Sequence, residues 1–224
     1  MSQVVPDGVY SDDVDTAALQ AAFTNGEFQV AVYGLGKMGL PLAAVFGDVT
    51  GNVVGADTDP DVVESVNRGD CHVTNEPGLQ ELVAELTQEN VLSAVEEPER
   101  AATEAAIHVL IVPTPITDDN EPDLSILEAA TRSVAAGLDP GDLVIVECTV
   151  PPGTTEGLVR ETLEAESGLE VGEFGLAFCP ERTASGRALE DIRAAYPKVV
   201  GGVDDAPDRP SRRSCLSPRA CRCG

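Results

Sequence analysis

The ten residues Val30-Ala-Val-Tyr-Gly34-Leu-Gly36-Lys-Met-Gly39 constrain this chain more than any other stretch. An apolar run that reads as a buried strand passes directly into G-x-G-x-x-G, and a helical pattern opens behind it. Each glycine answers a geometric need. Gly34 makes the tight turn, Gly36 lets the backbone approach a pyrophosphate, and Gly39 permits close packing of helix on strand. The N–H groups and dipole of the helix N-terminus then hold the phosphates. A second apolar run, residues 52–56, ends at Asp57, about 20 residues on, where a carboxylate can accept both ribose hydroxyls and repel a 2′-phosphate. The pattern points to a βαβ unit that takes NAD in preference to NADP. Its plain alternative is a structural glycine turn beside a surface aspartate.

Beyond this unit, strands and helices alternate. Apolar runs at 107–112 and 142–147 read as further buried parallel strands, with weaker candidates at 174–178 and 198–201. Helical spacing appears at 38–47, 60–68, 77–88, 124–137 and 154–165, the fourth of these with Asp123 as its N-cap. The expected fold is α/β, a doubly wound parallel sheet of the Rossmann type. Residues 1–27 form a polar leader, within which Asp15–Phe23 has the spacing of a short amphipathic helix. Residues 28–205 form the NAD-binding domain, and residues 206–224 an aberrant, disordered tail.

Charge narrows the partners. Thirty-nine acids face 14 Lys+Arg, for a net charge of −25 among 224 residues. Nucleic acid and anionic membrane surfaces are unsuitable partners, because both require clustered cations. No apolar run reaches the roughly 18–20 residues needed to cross a bilayer. The N-terminus lacks the basic and apolar regions of a secretory signal, so a cytoplasmic location is expected. Acidity spread evenly over residues 1–205, with only Lys37 and Lys198 as lysines, suggests a salt-rich, halophilic setting where screening relieves self-repulsion. The unfolding midpoint should then rise with added salt; a midpoint that fails to rise would count against this reading.

Cys71, Cys148 and Cys179 are widely spaced, as reduced thiols would be. Cys215, Cys221 and Cys223 crowd the tail, where too few partners exist for zinc, and no metal site is expected. The tail also holds five of the 14 basic residues and no apolar periodicity. This texture fits a shifted reading frame followed by a premature stop; the alternative is a genuine basic, disordered tail.

Three later stretches exceed what a generic dinucleotide fold requires. They are Val112-Pro-Thr-Pro115, Cys148-Thr-Val-Pro-Pro-Gly-Thr-Thr155, and Phe178-Cys-Pro-Glu-Arg182 followed by Gly186 and Val199-Val-Gly-Gly202. The first two follow strands at their carboxyl ends, where open α/β sheets bind ligands. With GLGKMGLPLA and NRGDCHVTNEPGLQEL, they make residues 28–203 resemble the UDP-glucose/GDP-mannose dehydrogenases, which oxidise a nucleotide-sugar C6 alcohol to a carboxylate. The Pro-Glu-Arg form, with Ser185 before the glycine, is similar to the branch acting on UDP-N-acetylmannosamine or UDP-N-acetylglucosamine. UDP-glucose is less expected.

The resemblance implies NAD contacts at Gly34, Gly36, Lys37, Met38, Gly39, Asp57, Thr114 and Thr149. It implies catalytic roles for Thr149 and Glu181, which order a water near the reacting carbon, and a substrate contact for Arg182. A UDP-sugar substrate, homo-oligomerisation and a place in polysaccharide biosynthesis follow for the full-length family. The family's nucleophilic cysteine, its central dimer-forming helix and its C-terminal domain are absent from these residues. The expected function is the N-terminal, NAD-binding part of a nucleotide-sugar 6-dehydrogenase oxidising UDP-N-acetylmannosamine. By itself this chain is expected to bind NAD weakly at best and not to turn over. The alternatives are a 6-phosphogluconate or 3-hydroxyacid dehydrogenase relative, and a non-catalytic NAD-binding module.

Overall fold

The computed structural model describes residues 8–10, 15–183, 186–195 and 199–203. Seven strands form one sheet in the order β3-β2-β1-β4-β5-β6-β7. They are β1 (Val30–Tyr33), β2 (Val53–Ala56), β3 (Leu92–Val95), β4 (Ile107–Leu110), β5 (Leu143–Val146), β6 (Gly175–Phe178) and β7 (Gly201–Val203). The first six run parallel. This is the doubly wound order of a dinucleotide-binding fold, whose strand order reverses between β1 and β4.

The strands are short and apolar because both faces of the sheet are covered. Their side chains alternate between two cores. Val30, Val32, Val53, Ile107, Val109, Leu143 and Ile145 face one core, beneath α2 (Gly39–Thr50), α3 (Pro60–Asn67) and α4 (Leu79–Gln88). Ala31, Tyr33, Val54, Ala56, Leu110, Val144 and Val146 face the other, with Leu127, Val134 and Leu163 packed on them. Those three come from α6 (Ser125–Ala135) and α7 (Arg160–Ser167). The chain has no tryptophan, and these layers are built mainly of Val, Leu, Ile and Ala.

Several elements differ from expectation. β3 and α5 (Pro98–Glu104) fall between the expected helix at 77–88 and the expected strand at 107–112, where no element is expected. β3 is an edge strand of four residues whose outward Ser93 is exposed, so it lacks the continuous apolar run of a central strand. α6 begins at Ser125, and the Asp123 carboxylate accepts the Ser125 N–H at 3.0 Å. The expected strand at 198–201 is displaced to β7, which pairs antiparallel with β6. The helix expected at 154–165 opens with a wider π-type turn, Thr155–Val159, before continuing as α7.

Helix α1 (Thr16–Thr24) realises the short helix expected in the leader. The Asp15 side chain caps it by accepting the Ala17 N–H at 2.9 Å. Phe23 is fully buried and meets Phe46 of α2 edge-on, with ring centroids 6.4 Å apart. The leader beyond residues 8–10 and 15–27, and the tail from residue 204, lie outside the described residues. Among the described residues, no helix is long and apolar enough to cross a membrane.

One polar chain crosses the second core. His108 is fully buried; its Nδ1 lies 3.0 Å from the Tyr33 hydroxyl and its Nε2 3.5 Å from Asp142 Oδ2. The Tyr33 O–H donates to Nδ1, and the Nε2–H faces the carboxylate. Burial and the nearby carboxylates of Asp142 and Glu99 push the Tyr33 phenol far above its ordinary range, so it stays a neutral donor. Tyr33→Phe should cost about 1–3 kcal/mol, because it leaves a buried imidazole nitrogen unsatisfied. Urea unfolding of the variant, with its circular dichroism unchanged, checks this.

Candidate cofactor-binding and active site

At the switch point, the loops after β1, β2, β4, β5 and β6 surround a cleft of about 680 Å³. Ligand clefts of this size and place are the rule for open α/β sheets. Gly34, Gly36, Lys37, Met38, Gly39, Asp57, Thr114, Thr149 and Glu181 all line it. Residues from five separate chain segments thus converge on one space. Arg182 is exposed and stands outside the lining. Ser185 lies outside the described residues.

The glycine loop has the geometry its pattern demands. Gly34 adopts φ +94°, and a Cβ there would lie 2.8 Å from the Ile111 carbonyl oxygen. At Gly39 a Cβ would stand 1.8 Å from the Gly34 carbonyl oxygen, so the helix can pack this closely only without a side chain. Gly36 is different. A Cβ there would meet nothing within 4 Å, so the space over it is open to a ligand. Helix α2 begins with no side-chain cap at Met38 and no acid in its first turn. An N-terminus of that kind, opening on a cleft, is an anion site. Lys37 is the single cation among the described lining residues. These features fit a pyrophosphate.

Asp57 continues from β2. Its Oδ2 accepts the Leu35 N–H at 2.8 Å and its Oδ1 the Asp59 N–H at 3.0 Å. Those two bonds lock the carboxylate at the cleft wall, and each oxygen retains a lone pair for a ribose hydroxyl. The local negative charge disfavours a 2′-phosphate.

On the opposite wall the Thr114 hydroxyl donates to the Thr149 carbonyl at 2.7 Å, tying the loops after β4 and β5. Glu181 Oε1 accepts the N–H groups of Arg182 at 2.6 Å and Thr183 at 2.8 Å, which fixes its orientation. The Thr183 hydroxyl in turn lies 4.0 Å from the Met38 thioether sulfur, Sδ. The segment carrying Glu181 therefore sits directly over the glycine loop.

Two lining features were not anticipated. Glu147, buried at the end of β5, borders the cleft, as does Ser133 of α6. The carboxylate closing the apolar run Leu143-Val-Ile-Val-Glu147 was the available signal. The Ser133 hydroxyl donates to Glu99 Oε1 at 2.7 Å and, as the main cause, holds that carboxyl below its usual range. Among the described cysteines, all thiols are free. Burial pushes Cys148 up to about 11 and also raises Cys71. Cys148 borders the cleft as a neutral thiol that donates to the Leu110 carbonyl at 3.4 Å. Thiols in that state are poor nucleophiles at neutral pH. Among the described residues no group of three or more His, Cys, Asp or Glu side chains could hold a metal.

Fold and site together define the dinucleotide-binding domain of a dehydrogenase. The chain belongs to the UDP-glucose/GDP-mannose dehydrogenase family, matching the family's NAD-binding domain over residues 28–213. NAD is accordingly the cofactor of this domain type. It is 36% identical over 194 residues to the UDP-N-acetyl-D-mannosamine dehydrogenase of Yersinia pestis, covering 84% of this chain and 44% of the relative. The structure of UDP-D-ManNAc dehydrogenase from Pyrococcus horikoshii superposes with a TM-score of 0.74 at 36% identity, covering 79% of this chain and 41% of that one. A UDP-glucose dehydrogenase from Pyrobaculum islandicum gives 0.72 at 36% identity, with 79% and 41% covered. The chain thus spans less than half the length of these relatives.

Proposed function

We propose that this chain supplies the cofactor half of a nucleotide-sugar 6-dehydrogenase, with UDP-N-acetylmannosamine as its substrate. The observation that carries the reading is that Thr149 and Glu181 line the same cleft as Asp57 and the glycine loop. A cofactor module without chemistry has no need of the last two segments. NAD supplies the hydride acceptor, used twice per sugar as the C6 alcohol becomes a carboxylate.

The chain's own residues divide the remaining work. Gly34, Gly36, Lys37, Met38 and Gly39 hold the pyrophosphate, Asp57 the adenosine ribose, and Thr114 and Thr149 the opposite end of the cofactor. Thr149 and Glu181 order a water near the reacting carbon. Glu181 takes a proton from that water as its oxygen adds to the acyl carbon of the thioester that the family forms on a cysteine of its C-terminal half, and the C–S bond then breaks to release the thiolate. Arg182, exposed beside Glu181, faces the sugar. Residues 28–205 act as the cofactor domain, and the complete enzyme works as a cytoplasmic homo-oligomer in polysaccharide biosynthesis. The acidic surface adapts it to high salt.

Mannosamine is preferred to glucose because of the Pro-Glu-Arg form of residues 180–182 and because the Yersinia and Pyrococcus relatives carry that name. The test is a chimera joining residues 1–203 to the C-terminal half of the Pyrococcus horikoshii relative. It should reduce NAD with UDP-N-acetylmannosamine and far less with UDP-glucose. Glu181→Gln in that chimera should lower kcat by about 10²- to 10⁴-fold, the usual worth of a general base. Undiminished turnover in the variant would remove Glu181 from the mechanism.

A further inference from the structure

The motif Asn67–Leu82 is not accounted for by the cofactor contacts or the water-activating pair. Its residues 71–78 run between the glycine loop and the segment following Glu181. At one end, His72 Nε2 lies 2.9 Å from the Leu35 carbonyl oxygen. At the other, the buried Glu76 carboxylate accepts the Gly186 N–H at 2.9 Å and the Leu189 N–H at 3.3 Å. Between them Gln80 steadies the strap, accepting the Cys71 N–H and donating to the Gly69 carbonyl, each at 2.9 Å.

Leu35 stands between the first two glycines of the loop, and both of its backbone polar groups are held. Its N–H goes to Asp57 and its carbonyl to His72. A carbonyl acceptor requires that Nε2 carry the proton. Among the described residues the buried His72 Nδ1 has no hydrogen-bond partner, so there the ring is tethered through Nε2. The peptide that carries the Leu35 carbonyl also carries the Gly36 N–H, and in a planar trans peptide the two point in opposite directions. Holding the carbonyl therefore turns the Gly36 N–H the other way, and Gly36 borders the cleft. A bond to the carbonyl also polarises the peptide and strengthens its N–H as a donor.

We propose that His72 is a positioning residue for the cofactor pyrophosphate, acting through the Leu35–Gly36 peptide. This rests on the assignment of the cleft to NAD. His72→Phe keeps a ring in place and removes the donor; His72→Gln keeps a donor at similar reach. NADH, ADP-ribose and adenosine are titrated into the wild-type chain and both variants, with thermal unfolding alongside.

His72→Phe should weaken NADH and ADP-ribose by about threefold to tenfold, the worth of one net hydrogen bond, and leave adenosine unchanged. His72→Gln should restore most of the loss. Equal NADH affinity in His72→Phe and wild type would overturn the positioning role alone. So would a loss shared equally by adenosine, or a loss not relieved in His72→Gln, since either marks a general structural effect. Failure of the wild-type chain to bind NADH at all would instead overturn the cofactor assignment, and this role with it.

Discussion

Gly39→Ala is expected to destabilise the protein by about 3 kcal/mol, the upper end of overpacking penalties, whereas Gly36→Ala should leave stability within about 0.5 kcal/mol and impair cofactor binding. The two positions lie three residues apart in one loop, yet their surroundings are opposite. A methyl at Gly39 would stand 1.8 Å from the Gly34 carbonyl oxygen and 3.1 Å from Ile111 Cγ2, so strand and helix must separate. A methyl at Gly36 would meet nothing within 4 Å. It would fill the space through which a phosphate reaches the start of α2, with a loss of about 10- to 100-fold in NADH affinity if the clash costs what overpacking does in a core. Thermal unfolding and NADH titration of both variants separate the effects. Wild-type affinity in Gly36→Ala would show that the pyrophosphate does not lie over this residue.

Asp57→Asn should be the most damaging polar substitution in the cleft. The carboxylate accepts backbone N–H groups from Leu35 and Asp59 with its two oxygens. An amide has only one oxygen, so one of these N–H groups would face an NH2 group. With the ribose held as proposed, the same change removes charge-assisted acceptance from its hydroxyls. Hydrogen bonds to charged groups contribute about 1.5–3 kcal/mol each, so a loss of about 10- to 100-fold in NADH affinity is expected. NADPH should be affected less, because the charge opposing its 2′-phosphate is gone. Dissociation constants for both nucleotides in wild type and variant measure this directly; an unchanged ratio would place the ribose elsewhere.

The parts of the site legible in the amino-acid order are those set by local geometry. Gly34 and Gly39 are required by a turn and a packing distance spanning a few residues, and Asp57 by the length of one βαβ unit. The proline- and threonine-rich stretches after β4 and β5 were legible because they follow strongly apolar strands. What stayed hidden depends on contacts between distant positions. His72 reaches a carbonyl 37 residues away, and Glu76 holds N–H groups 110 and 113 residues away. Neither pairing has a periodic signal. β3 was missed for a different reason: an edge strand buries only alternate residues, and Leu92-Ser-Ala-Val95 is too short to show the alternation clearly. The antiparallel pairing of β7 with β6 leaves no mark in the composition of Gly201–Val203.

As proposed, the cleft at the β1/β4 switch point takes NAD, and Asp57 gives it its selectivity over NADP. Titrating NADH and NADPH side by side into the purified wild-type chain decides this. Weak but saturable NADH binding, with NADPH weaker still by at least about tenfold, is the predicted result. Equal affinity for the two nucleotides, or no binding of NADH, would contradict it.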